Sequence, residues 1–425
     1  MTSLYLLLWI TGGVLLQITL YLVISFWRHW QEYQALRNGV AGVDVALASP
    51  ESAGLHETTA AAWPGFRTFR VERKVLEDTL GQICSFHLVP EDGLSLVPFL
   101  PGQFLTFKLD IASVQGGSDA VIRCYSLSDA PQKKSYRVSV KRAPAPIGSQ
   151  VNPGVSSSFF HDHVQVGSLL QVRAPAGHFY LDRSDMPVVL IGGGIGITPM
   201  LSMLNWCLQE QLGREVWLFY GVRNQAELIM LTHLHALAAA HANFHLHLCF
   251  SDPLGGAEAD TVAESVHHHN SRVNVTLLRR LLPLKPYHFY ICGPTPMLQS
   301  LVPALEDWGV PDGRIHFEAF GPASIKRKKS LPQAALPGAA HAVMVTFAKS
   351  GKQLSWQPGQ GSLLDLAEAS GIAVNSGCRA GGCGSCQTSI RSGEVAYSQS
   401  PDFDPEPGSC LLCVCTPKTA VTLEL

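Results

Sequence analysis

Three cysteines near the C-terminal end, Cys378, Cys383 and Cys386, are spaced C-x4-C-x2-C, and three more follow at Cys410, Cys413 and Cys415. That is the spacing of thiolate ligands to a [2Fe–2S] cluster. The interval is short enough for one loop to wrap the cluster. Gly377, Gly381, Gly382 and Gly384 let backbone N–H groups approach the sulfurs with no Cβ in the way. A fourth thiolate must then come from a later segment. Zinc favours paired C-x2-4-C ligands, which this glycine-lined loop does not offer, and disulfides need an oxidising compartment.

Other residues invite a second kind of chemistry. Arg123 in Arg123-Cys-Tyr125-Ser126 can fork onto a phosphate, and Tyr125 offers a flat aromatic face with a hydroxyl at Ser126 beside it. Gly154-Val-Ser-Ser157 presents backbone and hydroxyl donors at a helix start, where an anion is favoured. Leu190-Ile191 runs into Gly192-Gly193-Gly194-Ile-Gly196-Ile-Thr198-Pro199. A strand, a glycine turn and a helix opened by Thr and Pro suit a pyrophosphate. Arg223 could pair with a ribose 2′-phosphate, whereas Glu227, four residues on, would favour the bare ribose. His267-His268-His269, His233, His235, His241, His245 and His247 show no metal-ligand grammar, and Cys84, Cys124, Cys207 and Cys249 read as small buried hydrophobes.

The elements that must carry these groups change character along the chain. From Phe66 to Asp182, short β-rich runs alternate with Gly- and Pro-containing turns: residues 69–75, 83–89, 104–109, 136–141 and 169–173. That pattern predicts a small antiparallel barrel, with Arg123 following a strand. Strand-like runs at 188–191, 216–220, 244–250 and 287–291 then alternate with helical stretches at 199–212 and 226–241, which predicts a doubly wound, mostly parallel sheet. Pro322 to Ala342, with three prolines and Lys326-Arg-Lys-Lys329, reads as a solvated linker.

These motifs, in this order, resemble the ferredoxin-NAD(P)+ reductase superfamily from about Phe66 to Gly321, with a plant-type ferredoxin domain appended, an arrangement similar to that of phthalate dioxygenase reductases. The resemblance implies domains at 66–183 (FAD barrel), 184–321 (nicotinamide α/β domain) and 342–425 (α+β, β-grasp, [2Fe–2S]), with 322–341 between the last two. It assigns Arg123, Tyr125, Ser126, Gly154 and Ser157 to FAD. It assigns Gly192, Gly193, Gly194, Gly196, Thr198, Pro199 and Arg223 to the nicotinamide, together with the Cys292-Gly293-Pro294-Thr-Pro-Met297 segment, which lies beside the nicotinamide ring in that family. Tyr125, Ser126, Cys292, Glu318 and Phe320 match the residues around the point where hydride arrives. The family's last cluster ligand follows a leucine and precedes a proline by four positions, so Cys413, between Leu411 and Pro417, is the first choice, then Cys415 and Cys410. The implied activity is that of an NAD(P)H-dependent oxidoreductase. Electrons from NADH, or alternatively NADPH, would pass through FAD to the cluster and on to an acceptor protein such as a membrane oxygenase or desaturase. Direct reduction of a membrane quinone and a non-catalytic redox sensor are the alternatives.

Leu4 to Trp27 carries no charged side chain and is mostly large and apolar. As a helix it would be roughly 36 Å long, enough to cross a hydrocarbon core of about 30 Å. Arg28, His29 and Arg37 follow and nothing basic precedes. The expectation is a single-pass anchor within residues 1–30 of the inner (cytoplasmic) membrane, a tether over 31–65, and catalytic domains in the cytoplasm. A reducing compartment agrees with thiolate ligation among eleven cysteines. Formal net charge of −2 over 425 residues leaves no basic excess for nucleic acid.

Overall fold

The computed structural model describes Gln17 and residues 63–425, except 114–116, 146–151, 253–265, 321–341, 380, 399–400 and 402. The chain divides into a unit Met1–Ala61 and a unit Ala62–Leu425, and all of the architecture below belongs to the second. Apart from Gln17, the apolar segment Leu4–Trp27, the tether through residue 62 and the linker 322–341 lie outside the described residues. Among the described residues, no helix is long and apolar enough to cross a membrane.

Six antiparallel strands form the first sheet: β1 (Arg67–Leu76), β2 (Ile83–Pro90), β3 (Phe104–Ser113), β4 (Gly117–Ser126), β5 (Tyr136–Lys141) and β6 (Leu169–Ala176), in the order β4-β3-β6-β1-β2-β5. A bridge between Leu127 and Val138 joins the two edge strands, so the sheet closes on itself. Alternating apolar side chains such as Phe69 and Val71 on β1 fill the interior with Phe86, Phe107, Val138 and Phe160. Helix α1 (Val155–Asp162) lies against β5 and closes one side through Phe160. Arg123, Cys124, Tyr125 and Ser126 belong to β4 itself and do not follow a strand, contrary to the sequence expectation.

A second six-stranded sheet is parallel throughout: β7 (Val188–Gly193), β8 (Val216–Val222), β9 (Phe244–Phe250), β10 (Val266–His269), β11 (His288–Gly293) and β12 (Ile315–Ala319), ordered β10-β9-β8-β7-β11-β12. Helices α2 (Ile197–Glu210), α3 (Leu231–Ala240), α4 (Val275–Leu281) and α5 (Thr295–Asp307) cover it. Separate apolar clusters occupy its two faces, which is why central β7 reads as an unbroken apolar run, buried at every position. The winding reverses between β7 and β11. That switch point is where open α/β sheets bind ligands, beyond the carboxyl ends of the strands. Helix α3 begins at Leu231, five residues after the expected start. A 3-10 turn at Gln225–Glu227, capped by Asn224, and a left-handed Met230 (φ 54°) intervene.

The last region is a mixed sheet, β14-β13-β19-β15-β17, with a two-stranded β16-β18 ribbon beside it. Its strands are β13 (Val343–Phe347), β14 (Lys352–Trp356), β15 (Gln387–Ser392), β17 (Ser409–Leu411) and β19 (Val421–Leu423). The ribbon is β16 (Val395–Tyr397) with β18 (Cys415–Pro417). Helix α6 (Leu363–Ala369), opened by a Ser362/Asp365 capping box, buries Leu363, Leu364 and Ala367 in the core of this α+β domain.

Candidate functional site

Two clefts meet at the switch point. The first, of about 400 Å³, is walled by Arg123, Cys124, Tyr125 and Ser126 from β4, Ser139 and Lys141 from β5, and Glu318, Ala319 and Phe320 at the end of β12. Its remaining wall is Phe104 of β3 and Ser376, Gly377, Cys378 and Arg379 from the cysteine loop, with Ile195 just before α2 and Thr198 in its first turn. The Tyr125 ring meets Phe107 and Phe160 edge-on, at 5.8 and 5.0 Å between centroids, and its hydroxyl shares a 2.8 Å hydrogen bond with Ser156 Oγ. This fixes the plane of a ring that faces the cleft. Ser126 Oγ reaches Glu318 Oε2 at 3.5 Å. Burial, with the charge of Cys378 adding to it, pushes the Glu318 carboxyl up to about 8, so near neutral pH this wall holds a proton.

Gly154 caps α1, where the first-turn N–H groups have no helical partner. The Ser157 hydroxyl, however, is already committed: Oγ donates to Gly154 O at 2.9 Å and accepts from Ala143 N at 3.1 Å. It organises the turn, and the sequence expectation of a free hydroxyl donor there does not hold.

The second cleft, of about 800 Å³, runs over the ends of β7, β8 and β11. Gly193, Gly194 and Gly196 line it opposite Gly293, Pro294 and Met297. Gly196 is dictated by close approach. A Cβ there would stand 2.2 Å from Cys292 O, so only glycine lets α2 start against the backbone of β11. Gly192 and Pro199 are buried beside the cleft without lining it, and Thr198 Oγ1 donates to Ile195 O. The Cys292 thiol is fully buried and does not line either cleft; its backbone supports the site. Arg223 Nε donates to Glu227 Oε1 at 2.6 Å, and both line the far end. Lys141, Ser251, Arg272 and Asn274 also line this cleft, and the sequence reading did not single them out. They sit on strand ends and loops with no motif of their own. Phe320 and Lys141 belong to both clefts and join them.

The cysteine loop folds around its own sulfurs. Cys378 N donates to Cys383 Sγ at 3.2 Å, and Gly382 N and Cys383 N donate to Cys378 Sγ at 3.2 and 3.3 Å. Cys413 Sγ stands 3.2 Å from Cys386 Sγ and is within hydrogen-bond reach of Cys378. Cys410 and Cys415 are fully buried in the domain core, against each other. The Cys378 and Cys383 sulfurs with amide donors already aimed at them, and the Cys386 and Cys413 sulfurs paired beside them, are a donor set that fits an iron–sulfur cluster. Cys124 departs from the expectation of a buried hydrophobe. Its sulfur lies within 4.8 Å of those of Cys378 and Cys383.

The histidines at 245, 247, 267 and 269 stand on β9 and β10 as a stacked wall against Trp217 and Phe219. Among the described residues they form no cluster of three ligand atoms close enough for a metal.

Comparison with known proteins agrees with this geometry. A family profile described as Oxidoreductase NAD-binding domain matches residues 190–302, and one described as 2Fe-2S iron-sulfur cluster binding domain matches residues 345–418. A flavohemoprotein of Halalkalibacterium halodurans is 37% identical over 262 residues, 61% of this chain and 61% of that protein, so the chain spans about three fifths of such relatives. The solved flavohem-like FAD/NAD-binding domain of nitric oxide dioxygenase from Vibrio cholerae O1 biovar El Tor is 33% identical. It is matched over 61% of this chain and 100% of that one, with a TM-score of 0.51. Phthalate dioxygenase reductase is 27% identical over 85% of this chain and 98% of that one, with a TM-score of 0.48. The chain therefore belongs to the ferredoxin-NAD(P)+ reductase superfamily of oxidoreductases, with a C-terminal [2Fe–2S] domain, and its cofactors are FAD, NAD(H) and a [2Fe–2S] cluster.

Proposed function

We propose that this protein is an NADH-oxidising reductase whose flavin hands electrons to its own cluster, which serves a separate acceptor protein in the membrane that Leu4–Trp27 anchors. The observation that carries this reading is the first cleft. Its walls combine Arg123 to Ser126, Glu318 and Phe320 with Ser376 to Arg379 of the cysteine loop. When bound, FAD accepts two electrons at once and releases them singly, which matches a nicotinamide to a one-electron cluster.

The chain's own residues account for the rest. Arg123 is positioned for a phosphate, Tyr125 for the ring, and the Ser126–Glu318 pair for the edge of the ring nearest the second cleft. Cys378, Cys383, Cys386 and Cys413 hold the cluster. Gly193 to Gly196 approach the pyrophosphate of the dinucleotide, Gly293 to Met297 seat its nicotinamide, and Phe320 stands where the two clefts join. Arg223 is tied to Glu227. A 2′-phosphate would have to break that pair, whereas ribose hydroxyls can use the Glu227 carboxylate, which favours NADH. The acceptor's place in the membrane is inferred from the apolar segment, and its class, such as an oxygenase or desaturase, is what the family resemblance implies.

Cys386→Ser tests the order of electron flow. The variant should lose the cluster's visible and magnetic resonance signals, keep NADH-driven flavin bleaching and ferricyanide reduction, and reduce cytochrome c at least tenfold more slowly. Loss of bleaching in a folded, flavin-loaded variant would overturn the order. Rapid quinone reduction by that variant would favour a direct quinone reductase.

A further inference from the structure

The ferredoxin domain does not surround its cluster loop alone. Cys124, on β4, fills the variable position of the Arg123-Cys-Tyr125-Ser126 segment, and its sulfur lies within 4.8 Å of both the Cys378 and Cys383 sulfurs. On its other side it contacts Thr106 Oγ1 at 3.4 Å. A Cβ at Gly377 would stand 3.0 Å from Cys383 Sγ and 3.6 Å from Cys124 Sγ, so glycine keeps the space between barrel and loop open for these sulfurs.

A second contact comes from β6. Arg173 Nη1 donates to Cys383 O at 2.9 Å across 210 residues of sequence. Its guanidinium lies 4.6 Å from the Phe66 ring of the barrel and 4.5 Å from the Phe403 ring of the ferredoxin domain. Arg173 Nε is buried with no hydrogen-bond partner among the described residues. A half-buried cation held between two aromatic faces is screened less than an exposed one, and here it is fixed on the peptide of a ligand cysteine.

We propose that the flavin barrel tunes the cluster: Cys124 donates its S–H to the ligand sulfurs of Cys378 and Cys383, and Arg173 places a positive charge on the Cys383 peptide. Ligand thiolates can only accept, so the hydrogen belongs to Cys124. Reduction adds one negative charge to the cluster, and a donor and a cation beside it both favour that charge. The consequence is a cluster potential raised towards the flavin's, on the side that faces the flavin cleft. This rests on the ligand set and electron path proposed above.

The test is redox titration of the flavin- and cluster-loaded full chain, with Cys124→Ala, Cys124→Ser and Arg173→Gln compared after iron content has been matched. Cys124→Ala and Arg173→Gln should each weaken reduction of the cluster by about tenfold, 59 mV for one electron. The cluster potential should move by more than the flavin potential, and the reduced-cluster g values should move with it. Cys124→Ser, which keeps a donor, should recover part of the shift. Wild-type cluster potentials in all three variants would overturn the proposal, as would equal shifts of flavin and cluster. If Arg173→Gln does not fold, the two Cys124 variants decide. Absence of a [2Fe–2S] signal from the iron-loaded wild type would instead sink the ligand assignment.

Discussion

At the scale of single residues, the sharpest question is which late cysteine completes the cluster. Two cysteines at i and i+2 on a continuous strand would face the same side, so Cys413 and Cys415 would be equivalent if the strand ran through both. It does not. Leu412–Val414 forms a 3-10 turn, and β18 starts only at Cys415. The turn directs Cys413 to Cys386 and leaves Cys415 against Cys410 in the core. Cys413→Ser should therefore abolish the reduced-cluster magnetic resonance signal, and Cys415→Ser should keep it while costing about 1 kcal/mol or more of stability through a buried hydroxyl. Retention of an unchanged signal in Cys413→Ser, checked against iron content, would move the fourth ligand. The same scale exposes where residue types mislead. Cys124 and Ser157 are ordinary in sequence, and only their neighbours show that one faces a cluster loop and the other closes a turn.

The element scale is governed by β7, β9 and β11 of the parallel sheet. Periodicity made these strands legible because buried parallel strands read as apolar runs, but β10 was hidden. Val266-His-His-His has no apolar run, and its histidines stack on a neighbouring strand instead of marking a loop. His247 is 1% exposed and shares a 2.9 Å hydrogen bond with His269. Burial, reinforced by the nearby His267, His269 and His245, lowers its pKa to about 3. The unfolded chain takes up that proton near pH 6.5, the folded chain only near 3, so stability is fully present above 6.5 and falls as pH drops through that window. The slope is about 1.4 kcal/mol per pH unit for one such group. His247→Phe keeps the stacking against Phe219 and removes the proton site. It should flatten the fall of the thermal unfolding midpoint between pH 6.5 and 5, and an unchanged slope would show that another group controls it.

For the whole molecule, the redox motifs run from Arg123 to Cys413, and the apolar segment Leu4–Trp27 stands apart from them in sequence. A tether raises the effective concentration of a partner in the same membrane without adding a contact. Deleting residues 1–38 should leave NADH oxidation with ferricyanide unchanged within about twofold and lower turnover with the membrane acceptor by tenfold or more, the low end of typical tether effects. Full coupling by the truncated protein at equal concentration would remove the localisation role. Loss of flavin or cluster would give the segment a structural one.

The sequence by itself determined the parts: a cysteine loop whose spacing holds its own sulfurs, a glycine turn after an apolar strand, and a switch from period-two strands to alternating strand and helix. Each of these is local, written within a dozen or so residues, because spacing, turn geometry and strand alternation act over that range. What only the tertiary structure decided is how the parts face one another. Arg173 meets Cys383 across 210 positions, Ser126 meets Glu318 across 192, and Cys124 turns from apparent filler into a neighbour of Cys378 and Cys383. Such contacts depend on how the barrel, the parallel sheet and the ferredoxin domain pack together, and no pattern along the chain encodes that packing.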